Sequence, residues 1–219
     1  LAQIVGAPNR IIRPQVREGE DLIPTDWEAA VHAAADGLRA AAGAVVFVIS
    51  ETTSREDRFL YARLAERLGG RLLLLPTSAG SDDSGVQALI DEVKKGTIRA
   101  LVTNGDLLPA ELVQAVPFTL VIDCLPSPAA DLATVILPAA VLSEVGGSFR
   151  TAAGTVKNLA GVSRAPGNAR PEWAILTDLG QALGEADFAF SRVDEITPLI
   201  DSDPAPATFP GNPRQHVRE

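Results

Sequence analysis

The apolar positions of this chain switch repeatedly between two rhythms. Ala44 to Ser50, Leu72 to Leu75, Ile98 to Thr103, Phe118 to Asp123 and Ala133 to Leu137 are short continuous runs rich in β-branched residues. Such runs predict strands covered on both faces. Between them the spacing lengthens to that of a helix. Trp27, Ala30, Val31, Ala34, Leu38 and Ala41 form one stripe; Leu60, Tyr61, Leu64 and Leu68 a second; Val86, Leu89, Ile90 and Val93 a third. Thr25 and Glu28 have capping-box spacing before the first helix, and Ser54 opens the second, which Gly69-Gly70 ends. Pro109 to Val116 predicts a shorter helix. Strands alternating with helices predict an α/β fold with a doubly wound, Rossmann-like, mostly parallel sheet. The pattern leaves the strand order open.

Pro138 stops the last of these runs, because a proline cannot donate to a central ladder. A helix-compatible piece then reaches Glu144, and Gly146-Gly147 breaks it. Ser148 to Thr151 and Thr155 to Lys157 predict a C-terminal β-hairpin turning at Ala152-Ala153-Gly154. A closing helix follows Pro171, carries Trp173, Leu176, Leu179 and Leu183, and stops at Gly184. The organisation expected is an N-terminal strap over residues 1–24, an α/β domain over 25–184, and an extended tail over 185–219. Pro198, Pro204, Pro206, Pro210 and Pro213 argue against regular structure in the tail. Phe188, Phe190, Ile196, Leu199 and Phe209 make it too apolar for a solvated linker, so it is expected to order against a partner.

Charge narrows the function classes. Lys and Arg number 19 against 28 Asp and Glu, a net charge of −9 over 219 residues. That surface opposes nucleic acid and anionic membranes, which excludes nucleic-acid binding as a main role. No apolar run approaches the ~20 residues of a membrane span, so no direct membrane insertion is expected. Cys124 is the single cysteine, and His32 and His216 are the two histidines. They cannot assemble a zinc or iron–sulfur site, so no metal is expected on this chain. There is no methionine, even at position 1, which suggests a chain beginning inside a longer product.

Candidate chemistry is sparse. Ser50-Glu51-Thr52-Thr53 stands where a glycine-rich nucleotide turn would follow the first long strand, and no P-loop or nucleophile elbow is present. Short polar residues gather at predicted strand ends: Ser50, Glu51 and Thr52; Thr77 and Ser78; Asn104, Gly105 and Asp106; Asp123. In open α/β sheets ligands sit in the crevice beyond those ends. The plainer reading is that such residues cap helices and close turns. Cys124 reads as a small packed residue, Glu144 as a solvated helix-end carboxylate, and Trp27 and Trp173 as core anchors. No catalytic residue is assigned.

One combination is more specific. Ala130-Asp131-Leu-Ala-Thr-Val-Ile-Leu-Pro-Ala-Ala140, then Glu144, Gly147-Ser-Phe149 and Gly154, resembles the molybdopterin oxidoreductase superfamily. The nearest resemblance is to the large iron–sulfur subunit of NADH–quinone oxidoreductases, with formate dehydrogenases close by. Arg10 to Arg17 with Trp27-Glu28-Ala29, Gly96-Thr-Ile-Arg-Ala-Leu101, and Gly167 through Arg170-Pro171 to Trp173 resemble other family segments in order and spacing. The likeness covers residues 8 to 184. Thr151, Ala153, Thr155 and Lys157 depart from the family's Asn, Glu, Arg and Gln, and Pro126-Ser127-Pro128 replaces a Thr-Glu-Thr segment. The second α/β domain and cluster domain of catalytic members do not fit before Ala44.

The resemblance implies a non-catalytic domain or subunit of a multi-subunit electron-transfer complex of the NADH dehydrogenase or formate dehydrogenase kind. Its cofactor crevice would be vestigial, formed by Ser50, Asn104, Asp123 and Gly147, with Asp123 placed to read a guanine edge. No cofactor is expected in this chain. Iron–sulfur clusters would lie on an upstream part or on partner subunits, and the location would be cytoplasmic, reaching a membrane's inner face through those partners. Two alternatives stand beside it: a fragment of a catalytic molybdenum or tungsten bis-molybdopterin enzyme, and a small nucleotide-utilising α/β enzyme.

Overall fold

Five parallel strands run from one edge of a seven-stranded sheet, and an antiparallel pair completes it, in the computed structural model, which describes residues 2–76, 84–151 and 154–202. A short helix α1 (Ala2–Val5) precedes strands β1 (Gln15–Glu18) and β2 (Asp21–Pro24). Then come α2 (Trp27–Ala40), β3 (Val45–Ser50), α3 (Arg55–Arg67), β4 (Arg71–Leu75), α4 (Ser84–Lys94) and β5 (Ala100–Thr103). They are followed by α5 (Ala110–Ala115), β6 (Phe118–Asp123), α6 (Pro128–Leu132), β7 (Val135–Pro138) and α7 (Leu142–Val145). The hairpin β8 (Gly146–Arg150) and β9 (Val156–Ala160), α8 (Glu172–Leu183), a 3-10 turn (Val193–Glu195) and α9 (Thr197–Ser202) complete the order.

The sheet runs β2-β1-β7-β6-β5-β3-β4. β4, β3, β5, β6 and β7 pair in parallel, and β1 joins β7 antiparallel. The predicted α/β class and mostly parallel sheet are what the structure contains. Alternation along β3 explains the two layers. Val45, Phe47 and Ile49 face α2, α3 and α8, whereas Val46 and Val48 face α4 and α5. All six residues of β3 are buried, as an apolar run without alternation requires.

Three expectations need correction. Residues 1–24 are not a loose strap: Gln15 to Glu18 and Asp21 to Pro24 form a hairpin that extends the sheet. Thr25 does not cap α2. Its amide still donates to Pro14 O (2.9 Å), holding it to the β1–β2 hairpin, and Asp26 caps instead by accepting from the Ala29 amide (2.8 Å). The tail is not uniformly extended. Phe188 and Ile196 are buried, and Phe190, Leu199 and Ile200 pack on the same core as α3 and α8. Gly180 makes the Phe188 slot possible, since a Cβ there would lie 2.2 Å from the ring. The tail from residue 203, the predicted turn at Ala152-Ala153, and Thr77 and Ser78 lie outside the described residues.

The hairpin forms where expected, two residues earlier on its first strand and longer on its second. Gly146 has φ +76°, and a Cβ on it would stand 2.4 Å from Leu159 O, so the glycine is required where the chain turns from α7 into β8.

Candidate functional site

The parallel strands run 2-1-3-4-5 in order of their appearance, so the switch point falls between β3 and β5. Chain connections leave to opposite faces there and open a crevice beyond the carboxyl ends. It measures ≈ 620 Å³. The β3–α3 turn supplies Ser50, Thr52, Thr53, Ser54 and Asp57; the loop after β5 supplies Asn104 and Asp106. Asp123 and Cys124 come from the end of β6, and Glu172 from the start of α8. α7 and β8 form the outer wall through Leu142, Val145, Gly146 and Phe149.

Of the expected site residues, Ser50, Asn104 and Asp123 do end neighbouring strands and line this crevice. Each is already engaged. Asn104 Oδ1 accepts from the Ser50 amide (2.9 Å), and its Nδ2 donates to Thr53 Oγ1 (3.0 Å) and Glu172 Oε2 (3.1 Å). Ser50 Oγ shares a hydrogen bond with Thr52 Oγ1 (2.7 Å) and accepts from the Thr52 amide (3.1 Å). Asp123 Oδ1 accepts from the Cys124 amide (2.5 Å), so it closes its own turn. Gly147 is displaced from the lining. It backs onto Ser54 and Glu56, and Gly146 faces the crevice in its place.

The floor is made of groups the sequence reading did not single out. Asp57 Oδ2 accepts from Ser54 Oγ (2.5 Å), and the fully buried Tyr61 points its hydroxyl toward Glu172. Burial pushes the Glu172 carboxyl up to about 8, helped by the charge of Asp57. Burial likewise raises Asp57 to about 6, against the Ser54 hydrogen bond. Asp123 is raised by burial despite the amides of Cys124 and Leu125, and Asp106 adds repulsion. Tyr61 is raised well above the usual phenol range, by burial first and then by Glu172 and Asp57. Cys124 reaches about 12, by burial and the adjacent Asp123, so its thiol is no nucleophile. One signal could have flagged these acids. Helices that start at the carboxyl edge of a sheet aim their first turn over the crevice, and Asp57 and Glu172 occupy such turns.

Glu144 also departs from expectation. It is not solvated: Arg10 Nη1 and Nη2 each reach it at 2.9 Å, with side-chain exposures of 3% and 1%. Its Oε2 accepts from the Val141 amide as well (2.8 Å), capping α7. Burial alone would raise its pKa, but Arg10 and Val141 outweigh that and hold it below the usual carboxylate range. Trp27 packs partly against the core, carries Arg170 on its ring face at 4.2 Å, and donates from Nε1 to Asn168 O (3.0 Å). Among the described residues no three His, Cys, Asp or Glu side chains converge as a metal-ligand set, and no helix is long and apolar enough to cross a membrane.

Comparison with known proteins agrees with the likeness read from residues 8 to 184. Residues 85–182 match the molybdopterin oxidoreductase family model. NADPH-Fe(3+) oxidoreductase subunit alpha of Geobacter sulfurreducens, in strains DL-1/KN400 and PCA, is 30% identical over 138 residues. That alignment takes in 58% of this chain but 16% of the relative, so the chain spans a small part of the curated proteins it matches. Among solved structures, acetylene hydratase from Pelobacter acetylenicus superposes with a TM-score of 0.55 at 8% identity, over 85% of this chain and 63% of that one. The likeness to it is one of fold. Residues 85–182 are thus similar in sequence to the molybdopterin oxidoreductase family, and the sheet architecture is consistent with that fold.

Proposed function

We propose that this chain is a non-catalytic structural domain of a multi-subunit redox complex, in which the family's cofactor crevice has been turned over to internal contacts. One observation carries the reading: among the described residues the crevice is lined by Asp57, Asp106, Asp123 and Glu172 and by no Lys, Arg or His. The family implies a molybdopterin dinucleotide, whose pyrophosphate is anionic. The donor set here does not suit it, because a pocket of carboxyls without a cation repels an anion even where burial keeps some of them protonated. Of the groups placed to orient a nucleotide, Ser50 and Asn104 spend their hydrogen bonds on their own chain, and Asp123 commits Oδ1 to its own turn. No step is assigned to the group.

Partner subunits are supported by the relative, which is itself named as a subunit of an NADPH-Fe(3+) oxidoreductase. In this reading electrons move through iron–sulfur clusters outside these residues, in a complex of the NADH dehydrogenase or formate dehydrogenase kind. Any association with the inner face of a membrane goes through those partners. A second reading is favoured by the alignment lengths. A chain matching 16% of its relative can be one piece of a longer molybdenum or tungsten enzyme, with the cofactor held mainly by the rest. Pterin fluorescence and elemental analysis of the protein purified with its native partners decide between the two. The structural reading expects partner subunits and no pterin or stoichiometric molybdenum or tungsten bound to this chain. Stoichiometric pterin cross-linked to the crevice residues would overturn it.

A further inference from the structure

Glu56 stands in the first turn of α3 and is 1% exposed. Its carboxylate is shared between two parts of the chain that are remote in sequence. Oε2 accepts from the Ser148 amide (2.9 Å) and Oε1 from the Ser148 hydroxyl (2.6 Å), both on β8. Oε1 also accepts from Thr197 Oγ1 (3.1 Å), at the first residue of α9. Ser148 is itself buried, and Gly146 and Phe149 on the same strand belong to the outer wall of the crevice. A second contact brings the C-terminal segment to the same helix turn: Arg55, adjacent to Glu56, pairs with Asp201 at 2.9 Å.

The hairpin is otherwise held at its base, where the amides of Val162 and Ser163 donate to Ser143 O on α7 (2.7 and 3.2 Å). β9 is exposed along its whole length, with Val156 and Leu159 in solvent, and its two strands pair only with each other. A two-stranded ribbon is marginal on its own. Its base is fixed to α7, and its place over the crevice beyond that base depends on the buried bonds from Ser148 to Glu56 on α3. Hydrogen bonds to a charged carboxylate are the stronger kind, and they weaken when water reaches the acceptor. The docked segment around Ile196 and Thr197 helps keep water from Glu56.

From this arrangement we propose that Glu56 is a latch that couples docking of residues 193–202 to the position of the crevice's hairpin wall. Lifting α9 removes the Thr197 bond, hydrates the carboxylate and loosens its grip on Ser148, so the wall opens. Loosening the hairpin weakens α9 docking in return, because coupling between two sites is reciprocal. A partner that displaces the C-terminal segment would thus open the crevice without touching it. The latch holds whether or not the crevice binds anything, so its fate is separate from that of the structural reading.

Hydrogen exchange on the full chain, read by segment, tests the coupling. Thr197→Val removes one hydroxyl from the tail side and is expected to speed exchange at residues 147–150 and 156–160 by about tenfold. Ser148→Ala, which keeps the amide bond, is expected to speed exchange at residues 194–202 by a similar factor of about ten. If Thr197→Val also speeds exchange in β3 and β5, the whole fold has been weakened, and Asp201→Ala, which acts on the exposed end of α9, then carries the test. Each variant altering only its own segment would overturn the proposal.

Discussion

Two groups of buried carboxyls lie near the carboxyl edge of one sheet, and they behave in opposite ways. Glu144 is met by both terminal nitrogens of Arg10 and by the Val141 amide, and it is held in its charged form. Glu172 and Asp57 meet only neutral donors and each other's charge, and burial drives both toward the protonated form. Burial opposes the charge in both places. What separates them is a single guanidinium brought in from 134 residues away. An acid at a helix start thus becomes a structural anchor or a neutral floor according to whether the N-terminal segment reaches it.

The sharpest way to break this contrast is to remove the cation. Arg10→Ala leaves Glu144 buried without a partner and is expected to cost about 3–5 kcal/mol, read from denaturant midpoints at neutral pH. Glu172→Gln keeps the shape of the crevice floor and an acceptor for Asn104, so it should cost less than about 1 kcal/mol. Equal losses in the two variants would erase the distinction.

The pH dependence sharpens it next. Glu144 has a depressed folded pKa, so its contribution is complete above the ordinary value of 4.5 and is lost as pH falls through the lower folded value. Glu172 has a raised one. The folded state then binds the extra proton, so its favourable share is complete below 4.5 and drains away as pH rises toward about 8. Asp57 acts with the same sign from 3.8 up to about 6. Urea midpoints should therefore fall at both ends, with Glu172→Gln flattening the alkaline side and leaving the acid side intact. A flattened acid side in that variant would contradict the assignment.

How much of this was readable beforehand follows from the range of each interaction. Strands such as Val45–Ser50 and helices such as Trp27–Ala40 are local, because apolar spacing and end residues specify them. The crevice position was also legible, since Ser50, Asn104 and Asp123 mark strand ends. Its chemistry was not. Whether Asn104 is free to bind a ligand depends on Ser50 and Glu172, 54 and 68 residues away. Likewise nothing near Glu144 in sequence announces Arg10, and nothing near Pro198 announces that Ile196 and Phe188 pack against α3 and α8. The N-terminal strap was misread for a related reason: Gln15–Glu18 is too short to show alternation, and its partner β7 lies over a hundred residues on.

A smaller effect concerns Cys124, which sits between the two groups. Asp123 raises its thiol and Arg10 lowers it, with burial the largest influence. Alkylation by iodoacetamide should run at least about tenfold more slowly in the folded chain than in denaturant, because only the thiolate reacts. Arg10→Leu should slow it further in whatever fraction stays folded, since the opposing charge of Asp123 remains. Faster alkylation of the folded wild type than of the unfolded chain would contradict that environment.

The central claim is that the crevice at the β3–β5 switch point is committed to its own chain and has no use for a guanine nucleotide. Calorimetric titration with guanosine diphosphate tests it directly. The account predicts no saturable heat up to ~1 mM ligand, which corresponds to less than about 4 kcal/mol of binding free energy. Micromolar binding that disappears in Asp123→Ala would contradict it, and would show that the crevice still reads a guanine edge.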